Sequence, residues 1–363
     1  MNRSRFLLPV AMSLALAGCG PTGSTGSTAA PSSSPDHTSS PGSSSPARAE
    51  PSVPGTPVTV RLALDWTPNT NHTGFFVARN KGWYADAAID LELLPYATSS
   101  PETLVAAHQA ECGISFQDSM TFAVAEGADI VSVAAILQRT ASAIGVLADG
   151  PLRRPRDLDG RTYAGFGYPN EEPTLEAVIR ADGGTGDFTV ATLDAAAYEA
   201  LYSHRADFTI PFTAWEGVEA AQRGIKLRYF RFSDYGFPEF YQVVLACDRQ
   251  WLDREPDAAR RFVAATARGF EFAAQNADEA AAILVSENRG VFDANKDLPK
   301  ASQEFLADGK YLVDATGTFG TQTIERWTAY SKFLYDQGLL AKGGKPLASP
   351  PDYGRLFTND FLP

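Results

Sequence analysis

The sequence predicts an α/β protein of two lobes, each a mostly parallel sheet flanked by helices, with two segments of chain acting as the hinge between them. Three observations lead there. From Val58 onward, short strand-length apolar or alternating runs trade places with longer amphipathic runs of helical spacing. That alternation stops at the turn cluster Asp149-Gly150-Pro151 and then restarts, which divides it into two units of one type. Extended stretches at Ala141–Leu147 and Tyr241–Ala246 carry the chain from one unit to the other and back.

In chain order, residues 58–64 alternate apolar and polar positions as a strand, and a Pro/Asn/Thr loop then leads to a helix over 74–82. Ile89–Leu94 is the second strand. Pro101 stands at the first position of the next helix, where its missing N–H costs nothing, and that helix runs to Gln109. A strand over Cys112–Phe116, a helix over Ser119–Ala125 and a strand over Ile130–Leu137 complete a βαβαβαβ order, which implies parallel strands covered by helices. In the second unit, strands are predicted at 161–166, 188–193 and 207–211, with helices at 173–182, 195–202 and 213–223. Beyond Ala246 the pattern is largely helical, and Pro256–Ala274 is its clearest member, with Phe262, Val263, Thr266, Phe270 and Ala273 on one face.

Composition narrows the function classes. The 363 residues carry 31 Lys+Arg against 43 Asp+Glu, a formal charge of −12 that disfavours a nucleic-acid partner. Four histidines and three cysteines leave little material for a metal cluster, and no cofactor is expected. The N-terminus reads as a basic start, an apolar run too short to span a bilayer, and Leu16-Ala17-Gly18-Cys19, a bacterial lipobox. Residues 1–18 are thus expected as a signal peptide and Cys19 as a lipidated anchor holding the protein to the outer face of the cell membrane. Of residues 20–57, 29 are Gly, Pro, Ser or Thr, so 19–57 is expected as an acylated cysteine and a disordered tether. The first lobe would comprise 58–142 with 245–363, and the second 143–244. Cys112 and Cys247 lie in apolar runs and are expected as buried unpaired thiols in preference to a disulfide.

A ligand between two such lobes lies outside the carboxyl ends of the strands, so the loops that follow them hold the candidate residues. Trp66, Asn69 and His72 fall in the first, Phe116 and Gln117 follow the strand at Cys112, and Gly167, Tyr168 and Glu171 follow the strand at Thr162. Trp215 and Glu216 open a helix after a strand. Rings of this kind suit stacking on a flat heterocycle, although Phe116 and Trp215 could equally pack in the core, and Asn69, Glu171 and Glu216 could serve only as helix-start groups. Asp65-Trp66-x-Pro68-Asn69-x-x-His72-x-Gly74, followed by Gly82-Trp83-Tyr84, resembles the thiamine-pyrimidine-precursor proteins. That family comprises extracytoplasmic pyrimidine-binding components of ABC importers and eukaryotic pyrimidine synthases. Gly165-Phe166-Gly167-Tyr168-Pro169-Asn170-Glu171-Glu172, Trp215-Glu216-Gly217 and the final Phe357-Thr358-Asn359-Asp360-Phe361 extend the likeness over nearly all of 58–363.

The resemblance implies a type II periplasmic-binding-protein fold. It further implies a monomeric solute-binding lipoprotein, with permease and ATPase subunits as partners and a formylaminopyrimidine or hydroxymethylpyrimidine type of ligand. It also implies that Glu216 accepts hydrogen bonds from the aminopyrimidine. Riboflavin or another flat heterocycle is the alternative within this class. The resembling synthases hold pyridoxal phosphate on a lysine and use a histidine four residues on, at positions matching Ser115 and Ser119 here, and their cysteine-rich run has no counterpart in 240–246. No enzyme activity is therefore expected.

Overall fold

Val60 and Leu62 are buried while their neighbours Thr59 and Arg61 are less so, and this alternation makes Val58–Ala63 the strand β1. The computed structural model describes residues 56–363, so the signal peptide, Cys19 and nearly all of the tether lie outside the described residues. Around β1 the first group of elements follows in order as α1 (Thr73–Asn80), α2 (Trp83–Asp86), β2 (Ile89–Leu94), α3 (Pro101–Ala106), β3 (Cys112–Ser115), α4 (Gln117–Glu126) and β4 (Ile130–Ala135). The second group is β5 (Ile144–Leu147), β6 (Thr162–Gly165), α5 (Glu171–Ala181), β7 (Thr189–Thr192), α6 (Ala196–Tyr202), α7 (Glu216–Gln222) and β8 (Leu227–Phe230). The chain then returns through β9 (Val244–Asp248) to the helices α8 (Arg249–Arg254), α9 (Pro256–Gln275), α10 (Ala277–Glu287), α11 (Leu298–Asp308) and α12 (Ile324–Asp336).

The larger sheet has five strands in the order β2-β1-β3-β9-β4. β1 runs parallel to β2 and to β3, as βα alternation requires, whereas β9 pairs antiparallel with both β3 and β4. β9 enters the sheet on the way back from the second group, hence its reversed direction. On one side α1 packs on α9, whose predicted stripe of Phe262, Val263, Thr266, Phe270 and Ala273 is buried throughout. Contact between these helices is close because Gly269 has no side chain: a Cβ there would lie 2.0 Å from the Gly74 carbonyl oxygen.

In the second group β6 and β7 pair in parallel and β5 and β8 antiparallel. The strand expected over 207–211 is reduced to isolated bridges, Thr209 to Gly145 and Phe208 to Tyr163, which join the two pairs edge to edge. Pro211 has no N–H to continue the ladder. The helix expected from Thr213 starts only at Glu216. The two segments that pass between the groups lie side by side: Glu239 accepts from the Thr140 N–H, Gln242 accepts from the Ala141 N–H at 2.8 Å, and the Gln242 amide donates to Ser142 at 2.7 Å.

One expectation is overturned. Cys112 and Cys247 form a disulfide, not two free thiols. They stand directly opposite each other on the antiparallel pair β3 and β9, a register that brings their side chains to the same face. Both are fully buried in the main core. Among the described residues no helix is long and apolar enough to cross a membrane, and no group of His, Cys, Asp and Glu is placed to hold a metal ion.

Candidate functional site

Loops at the carboxyl ends of β1, β3 and β6 converge with the start of α7 and with Tyr330 of α12 on one cavity of about 310 Å³. Aromatic side chains dominate its wall. Trp66 and Tyr168 stand at its mouth with 38% and 58% of their surface exposed, each backed by a second ring: Trp66 by Tyr96 at 4.9 Å and Tyr168 by a parallel Phe166 at 6.1 Å. Deeper in, Phe240 stacks on Tyr330 at 4.2 Å. Phe116, Tyr198, Phe212 and Trp215 also face the cavity.

The charged groups of the wall are all acidic. Four carboxyls border the cavity, those of Asp65, Asp118, Glu171 and Glu216, and none of its lining residues is Lys, Arg or His. Asp65 is bonded by the His72 Nε2 at 2.7 Å, while the His72 Nδ1 accepts from the Asn69 N–H at 3.3 Å. That pairing places the ring proton on Nε2. Asp118, at the start of α4, accepts from the Asn170 amide at 2.7 Å and from the Ser119 N–H at 2.8 Å, and burial pushes its carboxyl above the usual range. Glu171 accepts from the N–H groups of Phe166 and Gly167 at 3.1 and 3.0 Å, and burial raises it too. Gly167 makes that turn at φ +91, where a side chain would be strained.

Glu216 is the least compensated of the four. One oxygen accepts from the Phe212 N–H at 3.1 Å, no cation stands near it, and burial pushes its carboxyl up to about 7. Asn71, almost wholly buried in the same wall, has a side-chain oxygen with no partner.

Of the residues expected from the sequence, Trp66, Asn69, Phe116, Tyr168, Glu171, Trp215 and Glu216 line the cavity; His72, Gln117 and Gly167 do not. Asn69 borders it but uses its amide within the loop, capping the turn over Thr70–His72. His72 is fully buried behind Asp65. Gln117 is also fully buried, donating to the carbonyls of Arg326 and Trp327 and accepting from the Tyr241 N–H. Gly167 acts through its backbone. Asp65, Asp118, Asn170, Gln242 and Tyr330 line the cavity without having been singled out. Asp65 and Asn170 sit inside the quoted motifs, whereas Tyr330 comes from a helix far along the chain and carries no local signal. Ser119 is in the wall, and Ser115 is buried with its hydroxyl donating to Glu102.

His72 therefore acts as a positioning residue for Asp65. Replacing it by Phe keeps an apolar ring but removes the Asp65 partner, at an expected cost of about 1–3 kcal/mol in unfolding free energy. Denaturant melts of that variant beside His72→Gln, which retains a donor, check this; equal losses would point to packing alone.

The sequence pattern of the NMT1/THI5 like family matches residues 69–280, more than half of the chain. The chain belongs to this family. Within it the chain is 28% identical over 282 residues to a formylaminopyrimidine-binding protein of Halalkalibacterium halodurans, an alignment covering 76% of this chain and 84% of that one. It is 24% identical to a riboflavin-binding protein of Chloroflexus aurantiacus over 84% of this chain and 86% of the other. A 4-amino-5-hydroxymethyl-2-methylpyrimidine phosphate synthase of Saccharomyces cerevisiae is 21% identical over 84% of this chain and 87% of its own. Among solved structures, the periplasmic aliphatic sulphonate binding protein of Escherichia coli superposes with a TM-score of 0.64 at 15% identity, over 83% of this chain and 92% of that one. The fold of this NMT1/THI5-like chain is thus that of the periplasmic binding proteins.

Proposed function

We propose that this protein is the solute-binding component of an ABC importer and that its cavity captures an aminopyrimidine precursor of thiamine, of the formylaminopyrimidine or hydroxymethylpyrimidine type. The observation that carries this reading is the wall itself: aromatic faces combined with four carboxyls and no basic side chain. Such a wall repels anions, so the sulfonate ligands of its structural neighbours do not suit it. It favours a flat ring that donates hydrogen bonds, which an aminopyrimidine does through its amino group. Kinship with a formylaminopyrimidine-binding protein supports the same ligand class.

A cavity of about 310 Å³ lies at the lower end of the range for small-molecule sites, which favours one ring over the three fused rings and side chain of riboflavin. The synthase reading lacks its lysine: the matching position is Ser115, whose hydroxyl is engaged with Glu102, and no lysine borders the cavity. We take the protein as a binder and not an enzyme. In this reading the lobes 58–142 with 245–363 and 143–244 close on the ligand about the paired segments held by Gln242. Cys19 tethers a monomer outside the membrane, where it meets the permease and ATPase subunits.

Calorimetric and thermal-shift titrations with formylaminopyrimidine, hydroxymethylpyrimidine, riboflavin and an alkanesulfonate test the ligand class. Either pyrimidine is expected to raise the melting temperature, since a ligand at 100 times its Kd adds about 2.7 kcal/mol to the folded state. Silence from both pyrimidines at roughly millimolar concentration, an affinity too weak for capture, would overturn the assignment.

A further inference from the structure

Resting on the aminopyrimidine reading, we propose that the site binds its heterocycle together with one proton, held between the Glu216 carboxyl and a ring nitrogen. Three of the four cavity carboxyls already have donors: Asp65 has His72, Asp118 has Asn170 and Ser119, and Glu171 has two backbone N–H groups. Glu216 has only neutral backbone donors, its own N–H and that of Phe212, and neither a side chain nor a cation joins them. A desolvated carboxylate whose donors are all neutral backbone groups is unfavourable unless a cation or a proton joins it.

No neighbouring group of this protein supplies that charge. From its own helix Glu219 adds repulsion, and α6 and β8 present the phenols of Tyr198, Tyr202 and Tyr229, each made harder to ionise by burial and by Glu216 itself. Arg223, at the end of α7, is paired with Glu199; on α11, which packs against α7, Lys300 is engaged with Asp278 and Glu304; Lys296 pairs with Asp293. The ligand must bring the charge or share a proton. An aminopyrimidine edge pairs an N–H donor with a basic ring nitrogen, and the complementary partner is a carboxyl holding one proton. Whether the proton sits on the oxygen or on the ring nitrogen, the pair contains one, and it titrates as a unit.

The sign follows from the free partners. Burial holds free Glu216 near 7, so at alkaline pH it is ionised and the free heterocycle is neutral; binding must then draw a proton from solvent. Below that range free Glu216 already carries the proton, so uptake falls, and a heterocycle that is itself protonated must release its proton on binding. Calorimetry with hydroxymethylpyrimidine at about pH 8, in buffers of different ionisation enthalpy, should report uptake of about one proton, falling as the pH is lowered through about 7. Above about pH 8 the affinity should weaken roughly tenfold per pH unit, and Glu216→Gln, which offers the same donor and acceptor pattern without a titrating proton, should bind with neither dependence. Binding by the unaltered protein without buffer dependence at about pH 8 would overturn this inference and leave the ligand class standing. Absence of any pyrimidine binding would overturn the ligand class and this inference with it.

Discussion

Glu216→Leu should reduce affinity for an aminopyrimidine by about 10- to 150-fold near neutral pH, because a hydrogen bond to a charged group is worth about 1.5–3 kcal/mol and the leucine offers none. Its effect on stability should be far smaller. The substitution removes a carboxyl that burial disfavours, which stabilises, but leaves the Phe212 N–H without its acceptor, which costs about as much. Parallel calorimetry and thermal unfolding separate the two consequences. A large drop in melting temperature with unchanged affinity would make Glu216 a structural group of α7 instead of a ligand group. The expected pattern, affinity lost and fold kept, is that of a binding residue held in a locally unfavourable setting.

Legibility differed between fold and site for a physical reason. The α9 stripe and the β1 alternation were readable because burial on one side imposes a period on sequence. At 207–211 a strand-like composition meets Pro211, and only bridges form. In the site, Trp66 and Tyr168 were readable because each follows a strand end, and Trp215 and Glu216 because they open a helix just after the bridged segment 207–211; the fold brings these ends together. His72 and Gln117 follow strand ends too, yet they point inward. Their polar atoms are satisfied by Asp65 and Asn69 in one case and by the backbone of α12 and Tyr241 in the other, so residue type alone gave the wrong side. Tyr330 and Gln242 reach the cavity through tertiary packing, and nothing in their local sequence separates them from ordinary core residues. The cysteines show the limit most clearly. Their apolar surroundings were read correctly, but their pairing depends on the register of β3 against β9, a long-range fact that local pattern does not hold.

Replacing both cysteines by alanine should lower the unfolding free energy by about 2–4 kcal/mol, the usual contribution of a native disulfide. The bond joins residues 135 apart and so closes a loop containing β4, every element of the second group, and both crossing segments. In the unfolded chain that loop is long, and constraining it removes much of the entropy gained on unfolding. In the folded chain the link ties β3, which leads into Phe116 and Asp118, to β9, the strand on which the chain returns from the second group. Both sulfurs are fully buried, so alanine also leaves space in the core between α9 and the sheet, adding a cavity cost to the lost crosslink. Melting temperatures of the native protein, the reduced protein and the double alanine variant separate these contributions. Reduction alone should account for the larger part of the fall, with the alanine variant lower still. Ligand affinity should change little, because neither sulfur borders the cavity. A reduced protein melting with the oxidised one would show that the crosslink adds nothing beyond the packing of two thiols.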